Sequence, residues 1–266
     1  MGDRATNAAA WDALADGSAF ARPASDEELR QPLLALDSRG WLPGRVDGLD
    51  VLCLAAGGGW QSILYAAAGA RTTVVDLSPG MLAVDRREAR RRGLDITIVE
   101  ASMDALPLAA ASFDIVHQPV STCYVRRLGD VYAEVARVLR PGGLYLSQHK
   151  TPGSLQVTAS GPGGVTLGID YDRRDPLPPV GHLGEATCRE AGCTEYVHPW
   201  RDLVGGLCRQ GFVLEDLVEP SWADAAARPG TLGHRSRFVP PYVRLKARRL
   251  AQREPPSLWM PDHGGA

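Results

Sequence analysis

The chain has 266 residues, 44% of them hydrophobic, enough for one large α/β domain with appended pieces or for two small domains. A net charge of −2 gives no electrostatic argument for nucleic acid or an anionic membrane. There is no early basic-then-apolar signal and no run of about eighteen apolar residues, so a soluble cytoplasmic protein without a membrane span is expected. Of 29 basic side chains only Lys150 and Lys246 are lysines, a bias that points to a GC-rich bacterial gene and says nothing of chemistry. The five cysteines include no Cys-x-x-Cys pair. Cys53 reads as inert core, and Cys188 and Cys193, near His182 and His198, lack the spacing of a zinc set, so no metal is expected.

Residues 1–47 read as a helical extension, either simple packing or a lid over a pocket. Asn7 is placed to cap a short helix carrying Trp11 and Leu14. Ser25-Asp26-Glu27-Glu28 is a capping-box pattern that opens a second helix through Leu29, Leu33, Leu34 and Leu36, which Gly40 ends. The stretch 51–62 then joins an apolar strand to a glycine turn and a helix start. Glycines let a backbone approach a ligand closely, and a helix start offers free N–H groups to an anion. Alone, the stretch suits a phosphate, a dinucleotide or a methionine carboxylate.

A short helix through Ile63, Leu64, Ala67 and Ala68 closes at Gly69, and a second strand, 72–76, ends in Asp76. Asp76 follows Gly57 by nineteen residues, the interval at which a βαβ unit delivers a carboxylate to a ribose. Ser78 before Pro79 already supplies a helix cap, which leaves Asp76 for a ligand. The helix 79–92 carries its arginines on a solvated face. Strands follow at 96–100 and 113–117, then a helix over 128–140, a break at Pro141-Gly142-Gly143 and a fifth strand at 144–147. Strands alternating with single helices predict a doubly wound parallel sheet with right-handed crossovers.

These pieces carry a resemblance. Leu52-Cys53-Leu54-Ala55-Ala56-Gly57-Gly58-Gly59, Val75-Asp76-Leu77-Ser78-Pro79-Gly80-Met81-Leu82, Ala105-Leu106-Pro107, Ser112-Phe113-Asp114-Ile115-Val116 and Ala136-Arg137-Val138-Leu139-Arg140-Pro141-Gly142-Gly143 occur in order. Over residues 50–149 this set resembles the class I S-adenosylmethionine-dependent methyltransferases, in particular the small-molecule branch related to quinone-biosynthesis enzymes. The resemblance implies a Rossmann-like sheet of seven strands, mostly parallel, the last antiparallel between strands five and six. It implies S-adenosyl-L-methionine as cofactor, S-adenosyl-L-homocysteine as product and a small-molecule acceptor, with no nucleic acid.

By position, Ala55, Ala56, Gly57, Gly58 and Gly59 would wrap the methionine and ribose, Asp76 would hold the ribose hydroxyls, and Leu77 would stack on adenine. Met81 belongs to the matching helix start, Ser102 and Met103 would meet the adenine edge, and Gln118 with the residues to Tyr124 would flank the methyl group. Three positions depart from the pattern. Ala55 stands where many relatives carry an acid or small polar residue, and Ser102 where an Asp commonly accepts from the adenine amino group. Gln118-Pro119 replaces the acid or Asn before Pro-Pro that marks methylation of bases or glutamine.

A sulfonium methyl is already activated, so alignment in a dry pocket is the main requirement, with a base needed chiefly for a hydroxyl acceptor. Tyr124 and His149 are the catalytic candidates, drawn from His117, Gln118, Cys123, Tyr124, Gln148, His149 and Lys150 at the ends of strands four and five. The alternative for His149 is a satisfied structural histidine. Residues 151–198, rich in Gly and Pro, read as a cap over the acceptor. A helix at 199–210, a strand at 211–217, a loop at 221–235 and a last strand at 238–247 complete a core spanning 48–253, with 254–266 as a tail. Two alternatives stay open: a catalytically silent cofactor-binding protein with an interaction role, and a nicotinamide-dependent oxidoreductase. Gly57-x-Gly59-x-x-Ser62 partly matches the latter's fingerprint, though Ser62 replaces its third glycine. Neither the acceptor atom nor the oligomeric state is legible.

Overall fold

The computed structural model describes residues 2–15, 17–179 and 189–251. Its centre is β1 (Asp50–Leu54), whose residues Val51 to Leu54 are fully buried. Alternation along this strand sends Leu52 and Leu54 to one core layer and Val51 and Cys53 to the other, so both faces of the sheet are covered. Helix α3 (Gln61–Ala67), β2 (Arg71–Asp76), α4 (Pro79–Arg92) and β3 (Ile96–Glu100) build the sheet outward on one side. The chain then crosses to β4 (Phe113–Gln118), α5 (Leu128–Val138) and β5 (Leu139–Lys150) on the other.

After β5 come α6 (Pro152–Gln156), a hairpin of β6 (Val157–Gly161) and β7 (Gly164–Leu167), then α7 (Trp200–Leu203), α8 (Gly205–Arg209), β8 (Phe212–Val218), α9 (Leu232–Arg235) and β9 (Tyr242–Arg249). The large sheet has seven strands in the order β3-β2-β1-β4-β5-β9-β8, with β9 antiparallel to both β5 and β8. This is the expected doubly wound architecture. Strand order reverses between β1 and β4, which opens a crevice at their carboxyl ends. No helix among the described residues is long and apolar enough to cross a membrane.

Several boundaries differ from expectation, each for a local reason. The capping box forms as read: Ser25 N–H donates to Glu28 Oε2 (2.8 Å) and Glu28 N–H to Ser25 Oγ (3.2 Å). The helix it opens is interrupted before Pro32, giving a short 3₁₀ turn at Glu28–Arg30 and then α2 (Pro32–Leu36). The Pro141-Gly142-Gly143 break becomes an irregularity within β5, since Leu139 already pairs with Phe113 before Leu144 pairs with Ile115. A Cβ on Gly143 would stand 2.8 Å from the Arg140 carbonyl oxygen, so the close turn requires glycine. The 199–210 helix is split at Val204, the 221–235 loop ends in α9, and β9 starts only after Pro240-Pro241. The expected tail lies outside the described residues.

Asn7 is not a cap. It sits inside α1 (Asp3–Leu14), almost fully buried, and ties that helix to two distant segments. Its amide donates to the carbonyls of Tyr124 (3.1 Å) and Thr194 (3.2 Å) and its oxygen accepts from Thr194 N–H (2.7 Å). Replacing Asn7 by Ala strands these backbone groups. An Asn7→Ala variant is expected to lose about 1–3 kcal/mol of unfolding free energy in urea titration, with faster amide exchange along α1.

Candidate functional site

A cavity of about 450 Å³ fills the crevice. Its floor comes from the loops that follow the parallel strands: Ala55, Ala56 and Gly57 after β1, Asp76 and Leu77 after β2, Ala101 to Met103 after β3, and Pro119 to Ser121 after β4. Helix α1 and the segment behind it supply Arg4, Asn7, Trp11 and Phe20, and the far side is closed by Tyr124, Gln148, Glu190 and Tyr242.

The turn after β1 is held by two acids. Gly57 N–H donates to Asp76 Oδ2 (2.9 Å), while Ser78 N–H donates to Asp76 Oδ1 (2.9 Å). A carboxylate offers about four acceptor sites, so Asp76 keeps room for a further donor such as a ligand hydroxyl. Burial raises the Asp76 pKa against the N–H bonds of Ser78, Gly57 and Leu77. On the other side Gly58 N–H donates to Asp85 Oδ2 (2.8 Å), and the Ser62 hydroxyl donates to Asp85 Oδ1. Ser78 caps α4 as expected, accepting from Met81 N–H (3.0 Å).

The glycines answer to packing as well as to a ligand. A Cβ on Gly57 would lie 2.8 Å from the Met81 Cβ and 3.1 Å from the Asp76 carboxyl. One on Gly58 would lie 2.8 Å from the Phe20 carbonyl oxygen, and one on Gly59 3.2 Å from Val84. Gly58 and Gly59 therefore face the N-terminal segment and α4, not the cavity. Ala55 adopts φ 50°, a left-handed conformation costing an L-residue roughly 1–2 kcal/mol, where a small side chain is tolerated best.

Of the expected cofactor residues, Ala55, Ala56, Gly57, Asp76, Leu77, Met81, Ser102 and Met103 line the cavity together. Gln118 does not. It is fully buried, donating to Ser121 Oγ (2.8 Å) and Met103 Sδ (3.2 Å) and accepting from the Tyr145 hydroxyl (2.5 Å), so it fixes two wall residues from behind. The Ser102 hydroxyl donates to Asp104. Burial works to raise the Asp104 pKa, but hydrogen bonds from Arg4 and Ser102 outweigh it and hold the carboxyl below its usual range. An acid thus stands two residues beyond the position where one was missed.

The two catalytic candidates separate. Tyr124 lines the cavity, and its hydroxyl donates to Glu190 Oε2 (2.5 Å). Burial keeps its phenol protonated, so it can orient but is a poor base. His149 lies in the core, not on the cavity wall: Nδ1 contacts Thr122 Oγ1 (2.7 Å) and Nε2 contacts Ser147 Oγ (2.8 Å), and burial lowers its pKa to about 3. Adjacent strand residues point to opposite faces, and it is Gln148 that reaches the cavity. The structure thus corrects the acid/base reading of His149 in favour of the structural one. His182 and Cys188 lie outside the described residues.

Trp60 and Gln61 are also on the wall. Trp60 Nε1–H donates to Glu28 Oε1 (3.0 Å), which fastens the capping-box acid to the turn after β1. Gln61 is buried at the start of α3 with its amide oxygen unpartnered among the described residues, a polar atom awaiting a donor. Arg4, Phe20, Asp85, Glu190 and Tyr242 were not anticipated.

Residues 52–147 match the model of a methyltransferase domain family. The uncharacterized methyltransferase YbaJ of Bacillus subtilis (strain 168) is 34% identical over 186 residues, 68% of this chain and 72% of that protein. The chain belongs to the class I S-adenosylmethionine-dependent methyltransferases. An S-adenosylmethionine-dependent methyltransferase from Mesorhizobium loti superposes with a TM-score of 0.62 at 27% identity, over 83% of this chain and all (100%) of that one. The geranyl diphosphate C-methyltransferase of Streptomyces coelicolor A3(2), solved with S-adenosyl-L-homocysteine, shares the fold at 17% identity and TM-score 0.62, over 94% and 99% of the two chains. The cofactor of this family is S-adenosylmethionine, and the Asp76 carboxyl and the unpartnered Gln61 oxygen on the cavity wall have the acceptor chemistry that its diol and amino groups require.

Asp85 makes this loop sensitive to pH. Burial raises its pKa to about 6, although Ser62 and the Gly58 and Gly59 N–H groups oppose the shift and only the Asp76 charge adds to it. An acid whose folded pKa is raised stabilises the fold when protonated, and that stability is lost as pH rises from about 4 through about 6. Ionising Asp85 then costs on the order of 3 kcal/mol relative to the unfolded chain. An Asp85→Asn variant should gain about 2 kcal/mol on the wild type between about pH 4.5 and 7, read from paired urea midpoints.

Proposed function

We propose that the chain transfers a methyl group from S-adenosylmethionine to a small-molecule acceptor bound in the outer half of the same cavity. One observation carries this reading. The cofactor residues and an aromatic wall made by Trp11, Phe20 and Tyr124 share a single cavity, covered on one side by α1. In that half α1 acts as a lid and the segment 189–198 as part of the acceptor-side cap. Two contacts support this: Tyr196 N–H donates to the Cys123 carbonyl (2.7 Å), and the Tyr196 hydroxyl donates to Asp3 of α1. A cavity of about 450 Å³ suits a compact molecule better than a nucleic acid.

When bound, the cofactor supplies a sulfonium-activated methyl group for in-line displacement. The chain's own residues do the rest. Asp76 accepts from the ribose hydroxyls, Leu77 and Met103 flank the adenine, and the Ser102 oxygen, its proton committed to Asp104, accepts from the adenine amino group. Gln61 accepts from the methionine amino group, and Tyr124 with Val120 and Ser121 walls the transfer position. The aromatic side chains present apolar surface beside that position, where displacing water strengthens nearby electrostatic contacts.

The test is calorimetric titration with S-adenosylhomocysteine and with NAD, followed by transfer of tritiated methyl across an acceptor panel. Binding of the sulfur ligand and not of NAD is expected; NAD binding alone would return the oxidoreductase reading. An Asp76→Ala variant should bind S-adenosylhomocysteine about 1.5–3 kcal/mol more weakly, the scale of hydrogen bonds to a charged group. An unchanged affinity in a folded variant would show that the ribose is held elsewhere.

A further inference from the structure

Two carboxylates line the cavity among the described residues: Asp76 in the cofactor half and Glu190 in the other. Glu190 is built into a buried charge cluster. Its Oε2 accepts from the Tyr124 hydroxyl (2.5 Å) and from the Lys150 ammonium. Lys150 is fully buried in its side chain and also donates to Glu195 Oε1 (2.7 Å), whose other oxygen accepts from Arg189 Nε (2.5 Å). Glu195 is fully buried and Arg189 nearly so. Two cations and two anions close on one another, so the cluster is balanced without any ligand. Glu190 Oε1, by contrast, takes no hydrogen bond from the described residues.

We infer that Glu190 Oε1 is the point at which the methyl acceptor is recognised, and that the acceptor is a neutral aromatic compound bearing a hydroxyl group. This rests on the methyltransferase reading of the cavity. The hydroxyl donates to Glu190 Oε1, a charge-assisted O–H···O⁻ bond of the stronger kind. The ring lies against the edge-to-face aromatic set in which Trp11 meets Phe20 at 5.4 Å and Tyr124 at 5.6 Å between centroids. Charge selects against ions of either sign. An ammonium would bring a third cation beside Lys150, in a cavity that also receives the sulfonium, with no free anion to balance it. A carboxylate would face Glu190 directly. Since Tyr124 and Lys150 both hold Oε2, Oε1 is presented in a fixed direction, which makes Glu190 a specificity-determining residue.

The experiment uses the full chain saturated with S-adenosylhomocysteine and three matched probes: 2-naphthol, 2-methoxynaphthalene and (2-naphthyl)methylammonium, each titrated by calorimetry. The naphthol should bind about tenfold or more tightly than its methyl ether, and the ammonium should bind no better than the ether. In an E190Q variant that preference should fall to about threefold or less, while S-adenosylhomocysteine affinity, measured first, confirms an intact fold. Equal binding of naphthol and ether, tightest binding of the ammonium, or an unchanged preference in E190Q would each overturn the inference. So would failure of all three probes on protein that binds S-adenosylhomocysteine. Loss of S-adenosylhomocysteine binding in the wild type would instead overturn the cofactor reading, and the acceptor assignment with it.

Discussion

The turn that follows β1 hangs between two carboxylates. Asp76 takes the N–H of Gly57 and Asp85 takes that of the next residue, Gly58, from the opposite side. Consecutive amides aimed at different acids fix the path of the loop more firmly than either bond would alone. The consequences spread outward, because Asp76 belongs to β2 and Asp85 to α4. The register of β2 against β1 and the docking of α4 therefore decide the shape of the cofactor floor. Burial raises the pKa of both acids, with the Asp76 charge adding to the shift at Asp85 and the Asp12 charge to that at Asp76.

The N-terminal segment is anchored on that same turn. Ala24 N–H donates to the Gly59 carbonyl (3.0 Å), the Phe20 carbonyl fills the space that glycine leaves at 58, and Trp60 reaches Glu28. One step further, Asp12 accepts from Ser78 Oγ (2.5 Å) and from Gly80 N–H (2.8 Å) at the start of α4, where a negative charge is favoured by the helix dipole. Asn7 then carries the connection across to Tyr124 and Thr194. Helix α1 is thus fastened at both halves of the cavity, and its hydrophobic anchor is slight: Trp11 packs at the edge of the small cluster of Cys123, Tyr124, Leu155, Leu177 and Val197.

What could be read in the sequence followed local rules. The alternation of apolar runs with amphipathic helices gave the parallel sheet, Ser25 with Glu28 and Ser78 before Pro79 gave the caps, and the spacing from Gly57 gave Asp76. What could not be read depends on contacts between distant segments. Asp85 sits in an arginine-rich helix and looks like one more surface charge until the Gly58 amide, 27 residues away, is seen to need it. Glu190 has its partner at Lys150, forty residues earlier (separation 40), across a hairpin that no periodicity announces. His149 illustrates the reverse error, since its chemistry was attractive but strand alternation turned it into the core. Asn7 is similar: a residue type suited to capping was used instead for its ability to donate and accept at once in a buried place.

The strand order also has a bearing on how the chain is made. β5 pairs with β9 from Leu144↔Arg248 to Lys150↔Tyr242, partners separated by about a hundred residues, and β8 reaches the sheet only through β9. During synthesis the parallel half can assemble once β5 has emerged, but its outer edge then presents open N–H and C=O groups until β9 has followed. The residues between β5 and β9 are synthesised first. Such long-range closure slows folding and leaves a sticky intermediate. A chain cut before residue 242 would keep every cofactor-floor loop and still lack the strand that seals the edge of its sheet.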